Sequence, residues 1–88
     1  MLKQREMYLV TYNMPGDKRR PTLFADMKAV EDYMNKIAEN NPNQNMAWMN
    51  VQKIVKFFNP ESPSDRRYYE RKFNETIEGE PVEFETED

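Results

Sequence analysis

This chain predicts an α+β fold: a small antiparallel sheet of about three strands packed by one main helix, with a second C-terminal helix and an acidic tail. Three observations carry that prediction. Apolar residues alternate with period two over residues 7–12. They recur at helical spacing over residues 27–38. A Ser-Pro-Ser-Asp run at 62–65 then announces another helix start. A length of 88 residues suits one domain, expected over 1–79, followed by a tail over 80–88.

The first strand is expected over 7–13, because Met7, Leu9 and Thr11 alternate with Tyr8, Val10 and Tyr12, mostly β-branched or aromatic types. Met14-Pro15-Gly16-Asp17 reads as a type II turn: Pro presets φ at the second position and Gly accepts positive φ at the third. The chain returns as a short strand over 21–25. Asp26 is placed to cap a helix over 26–40, in which Met27, Val30, Met34, Ile37 and Ala38 form one apolar stripe. Asp32 and Lys36 are spaced to pair on its outer side. Asn40-Asn41-Pro42-Asn43 stops that helix.

Residues 46–58 fit two patterns. As a strand, Met49, Val51, Lys53, Val55 and Phe57 share one face, with Trp48, Ile54 and Phe58 on the other. As a helix, Trp48, Val51, Ile54, Val55 and Phe58 fit equally well. The Val, Ile, Phe and Trp content, and the need for a sheet partner, favour the strand. A second helix is expected over 63–78. Ser62 caps it, Asp65 reaches back to that cap, Tyr69, Phe73 and Ile77 stack, and Gly79 and Pro81 end it. Val82, Phe84 and Thr86 alternate with acids, as a short edge strand would.

Charge divides unevenly along the chain. Residues 75–88 hold seven acids and no base, whereas all 13 Lys and Arg precede them, so the formal charge is about +4 for the body and −7 for the end. The chain has no Cys and no His. That excludes disulfides, Cys- or His-ligated metals, and catalysis by either residue. With two glycines there is no Gly-rich phosphate loop. No enzyme, metal or cofactor is expected. The start at 1–6 lacks the apolar stretch of a signal peptide, and no run approaches the roughly 20 apolar residues of a membrane span. The expected setting is the cytoplasm, with no membrane partner.

Two surfaces stand out as candidate sites. The first combines Glu83, Phe84, Glu85 and Glu87 of the tail with Trp48. It would present acidic and aromatic surface to a larger protein with a basic surface, as a small inhibitor or modulator does. The aromatic surplus of Tyr8, Tyr12, Trp48, Phe57 and Phe58 adds to it, since one helix layer cannot cover both faces of an apolar strand. The bland counterparts are a solubilising end and a two-sided core. The second surface is basic: Lys18, Arg19 and Arg20 in the first loop, with Arg66, Arg67, Tyr68, Arg71 and Lys72 on the second helix. Cations interleaved with a ring suit single-stranded nucleic acid, where charge holds phosphates and rings stack bases. Its bland counterpart is an amphipathic helix with solvated basic flanks. The net charge of −3 favours the protein-binding reading.

Overall fold

The computed structural model describes residues 1–80. Strands β1 (Lys3–Tyr12), β2 (Thr22–Phe24) and β3 (Met49–Phe58) form an antiparallel sheet in the order β2-β1-β3. Helix α1 (Met27–Asn40) follows β2, and α2 (Pro63–Phe73) follows β3. The α+β class agrees with the sequence prediction. The edge strand expected over 82–86 lies outside the described residues. Contacts group the described residues into two compact units, one of Glu6–Val55 and one of Met1–Arg5 with residues 56–80.

In the Glu6–Val55 unit, the predicted turn forms. The Asp17 N–H reaches the Met14 carbonyl at 3.0 Å, and Gly16 takes a φ of +85° that side-chain-bearing residues avoid. The chain then pairs back in the register Tyr8↔Phe24, Leu9↔Leu23 and Val10↔Thr22. Asp26 caps α1 by accepting the Ala29 N–H at 2.8 Å, and the Asn41 N–H closes the far end on the Ile37 carbonyl at 2.9 Å. The α1 ion pair differs from expectation. Asp32 pairs with Lys28 at 3.2 Å instead of with Lys36, because helical side chains lean toward the N-terminal turn and the short Asp32 chain meets Lys28 there. Val10 and Val30 are buried, and Val10 shares its side of β1 with Tyr8 and Tyr12, whereas Met7, also buried, points to the opposite side.

Residues 46–58 resolve as a strand preceded by one turn of 3-10 helix, Met46–Trp48, whose Asn45 cap accepts the Ala47 N–H at 3.0 Å. The Asn13 N–H donates to the Trp48 carbonyl at 2.9 Å. Opposed residues in an antiparallel ladder have constant summed numbers, so Tyr12 faces Met49 and Tyr8 faces Lys53. The Lys53–Glu6 ion pair at 3.8 Å fits this register as a diagonal contact.

In the other unit, Phe58, Tyr69 and Ile77 are buried. Ser62 caps α2 by accepting the Asp65 N–H at 3.3 Å, with Pro63 opening the helix. The expected reciprocal contact does not form, because the Asp65 carboxylate accepts the Asn59 N–H at 2.9 Å instead. The helix also ends at Phe73 and does not continue to 78. Asn74 turns left-handed at φ 54° and sends its N–H to the Glu70 carbonyl at 2.9 Å, a stop that Asn tolerates far better than bulkier residues do. Ile77 therefore enters the core from the turn after α2, which Gly79 closes on the Thr76 carbonyl at 2.8 Å.

Candidate protein-docking surface

Among the described residues β3 is a margin of the sheet, and its odd-numbered residues carry an unusual load. Val51 is 40% exposed, Val55 53% and Phe57 55%, while Phe58, one residue on, is 3%. Alternation puts Val51, Lys53, Val55 and Phe57 on one side of the strand. By the register above, Val51 and Lys53 share their side with Tyr8, Val10 and Tyr12. The helix on that side is α1, and Tyr33 fixes where it sits. Its ring lies 5.0 Å from Phe24 of β2, and its hydroxyl meets that of Tyr12 at 2.5 Å. A helix about 10 Å across spans two strands spaced about 4.8 Å apart, and the third is left open. Trp48, just before β3, is 41% exposed.

The Phe57 end of β3 borders a shallow cavity of about 290 Å³ lined by Lys56, Phe57, Phe58, Ser64, Asp65 and Tyr68. Substrate and cofactor sites run from about 300 to 1,000 Å³. This hollow lies at the lower end of that range, and its lining combines ring carbon from Phe57, Phe58 and Tyr68 with one cation, one carboxylate and two hydroxyls. Burial pushes the Tyr68 hydroxyl above its ordinary range and keeps it neutral.

The basic candidates fare differently. Arg19 is held by Asp17, with contacts of 2.6 and 3.1 Å, and lies 4.4 Å over the Tyr12 ring. The Asp17 carboxyl is in turn held below the usual carboxylate range by those Arg19 bonds. Lys18 and Arg20 remain exposed beside this neutralised pair. On α2, Arg66 is bound to Glu78 at 2.7 Å and to the Pro60 carbonyl at 3.1 Å. The Tyr68 ring packs on Phe58 at 5.9 Å with the Lys72 ammonium 5.8 Å from its centre. Arg67 and Arg71 are exposed, one helical turn apart. The structure thus brings 66–72 together on α2, but Arg66 is paired and one face of the Tyr68 ring packs on Phe58. The 18–20 loop belongs to the other unit. Glu83, Phe84, Glu85 and Glu87 lie outside the described residues.

The strongest polar cluster serves the core. Arg5 donates to the Tyr69 hydroxyl at 2.9 Å and to the Glu75 carboxylate, Tyr69 donates to Glu75 at 3.1 Å, and the guanidinium lies 4.2 Å over Phe73. Hydrogen bonds from Arg5 and Tyr69 hold the Glu75 carboxyl below the usual range. The network ties a guanidinium, a phenol and a carboxylate to one another and to the Phe73 ring, which marks it as structural. Among the described residues no group of three or more acidic side chains is placed to hold a metal ion, and no helix is long and apolar enough to cross a membrane.

Sequence reading counted Phe57 among the surplus aromatics but gave Val51 and Val55 no role outside packing. The missed signal was Lys53. A lysine midway along an otherwise apolar strand face indicates that the face meets water. Searches against protein-family models, curated proteins and solved structures find no match for this chain.

Proposed function

We propose that this protein is a non-catalytic protein-binding module, a small inhibitor or modulator that docks a larger protein along β3. The observation that carries the reading is the set of exposed apolar residues at Trp48, Val51, Val55 and Phe57. Exposed single apolar residues are ordinary, but several aligned along one sheet margin form a patch of the kind that recognition uses. The hollow beside Phe57 supports the same reading, as anchor residues concentrate binding energy in pockets. The acidic run 80–88 supplies charge that steers association toward a basic partner surface. The chain has no Cys, which suits a reducing cytoplasm as its setting.

The test compares baits in host extract: the native chain, a Val55→Ser/Phe57→Ser double variant, and a variant with Glu83, Glu85 and Glu87 changed to Gln. A partner retained by the native chain, lost from the double variant and captured more slowly by the neutralised tail supports the proposal. Equal retention by all three sinks it. Single-stranded nucleic-acid binding is the weaker reading, since among its proposed cations Arg19 and Arg66 are engaged by Asp17 and Glu78.

A further inference from the structure

We infer that the partner docks by an amphipathic helix laid beside α1, in the groove between one flank of α1 and the exposed face of β3. This rests on the docking proposal above and names what fills the site. Helix geometry decides which flank of α1 faces the groove. At about 100° per residue, Tyr33 stands roughly 60° to one side of Val30, whereas Met34 and Met27 stand roughly 40° and 60° to the other. Tyr33 packs on Phe24 of β2 and the sheet order is β2-β1-β3, so Met27 and Met34 face toward β3. Met27 is exposed and Met34 half-buried, and Val51 and Val55 are exposed on the side of the sheet that carries α1. The groove therefore has a wall of methionine and a floor of valine, all within residues 6–55.

Backbone and charge select a helix as the occupant. Packed helices lie about 8–10 Å apart, so a second helix beside α1 rests on β3 and touches the methionine flank together. An extended segment in the same place would have α1 on one side and water on the other, leaving a row of its N–H and C=O groups against side chains, whereas a helix bonds its own. Pairing of such a segment on the β3 edge is discouraged by Lys53 and Lys56. Lys53 in the floor is met by Glu6 at 3.8 Å. Glu31, about 100° from Val30 on the Met34 side, is exposed at the top of the wall and pairs with no described residue. The complementary ligand is a helix with apolar residues at i, i+3, i+4 and i+7 and a Lys or Arg beside that stripe. Flexible thioethers suit a wall that adapts to such a stripe.

The test pans the full chain against two libraries of peptides of about 16 residues, roughly 24 Å as a helix. One library has apolar positions at helical spacing, the other has them alternating. Winners should come from the helical library, carry Lys or Arg beside the stripe, and gain helical ellipticity on binding. Met27→Glu, at an exposed position, should weaken a winner at least tenfold, and Glu31→Lys about two- to five-fold, both with melts like the native one. No winners, winners from the alternating library, or binding indifferent to both variants overturns the inference. So does tighter peptide binding after removal of residues 81–88, or a native mass of twice 10.6 kDa that Met27→Glu halves, since the groove would then belong to the chain's own end or to a second copy. The docking proposal is judged separately. A host-extract partner lost from Val55→Ser/Phe57→Ser but retained by Met27→Glu leaves docking along β3 standing and removes the helix groove, whereas retention by both variants removes both.

Discussion

β1 and β3 are both ten residues long and both carry Val and aromatic residues. Yet Met7 and Val10 of β1 are fully buried, whereas Val51, Val55 and Phe57 of β3 are 40%, 53% and 55% exposed. The difference is one of position. β1 is the middle strand, with β2 and β3 as neighbours and α1 over Val10. Among the described residues β3 has a neighbouring strand on one side only, and α1 packs on β2. Residue type alone does not decide burial; the number of layers available to cover a strand does. Side chains that fold the protein and side chains left exposed can therefore be separated by substitution.

The largest effect should come from the core. Tyr69→Ala removes a buried ring in contact with Phe58 and Phe73 and leaves Arg5 and Glu75 without their shared hydroxyl. The expected loss is about 3–5 kcal/mol, which calorimetry would register as loss of the cooperative melt or a midpoint lowered by roughly 15 °C or more. Tyr69→Phe keeps the ring and should cost only about 1–2 kcal/mol, the worth of the hydroxyl's hydrogen bonds. If both variants melt alike, the polar network and not the ring packing holds this unit together.

Acid should act next. The carboxyls of Glu75, Glu78 and Asp17 are each held below the usual range, first by side-chain hydrogen bonds from Arg5, Arg66 and Arg19 respectively. Stability from a lowered carboxyl is present above the unfolded pKa and lost as pH falls through the folded one. Urea midpoints should therefore be flat near neutrality and decline as pH drops below the ordinary carboxylate range, with a shallower decline in Glu75→Gln. At the alkaline end, Tyr69 and Tyr33 are raised, chiefly by burial. Their contribution is complete below the unfolded tyrosine pKa and lost as pH rises past it.

The smallest stability effect belongs to the exposed row. Val55→Ser or Phe57→Ser should move stability by no more than about 0.5 kcal/mol, whereas Phe58→Ser should cost several-fold more, because Phe58 touches Tyr68, Tyr69 and Phe73. Comparable losses at neighbouring Phe57 and Phe58 would break the contrast between recognition and core.

Much of the fold was legible because local rules decided it. Asp26, Gly16 and the Ser62-Pro63 pair act through their own backbone neighbours, and each does what its chemistry implies. The misreadings arose where a nearer partner won. Asn74 stops α2 before Gly79 can, and Asp65 takes the Asn59 N–H in preference to the cap. The exposed row on β3 was less legible, because its openness depends on where α1 lies across the sheet, a tertiary fact that no window of sequence contains. Only Lys53, within the row, and Trp48, beside it, hinted at water or a partner.

The claim that this row exists for recognition is most directly tested by quantitative capture from host extract on immobilised native chain and on the Val55→Ser/Phe57→Ser variant, both confirmed folded by their melts. Loss of two anchor side chains worth about 2 kcal/mol or more should lower recovery of the bound partner at least tenfold. Recovery of the same proteins in the same amounts on both surfaces would contradict the account.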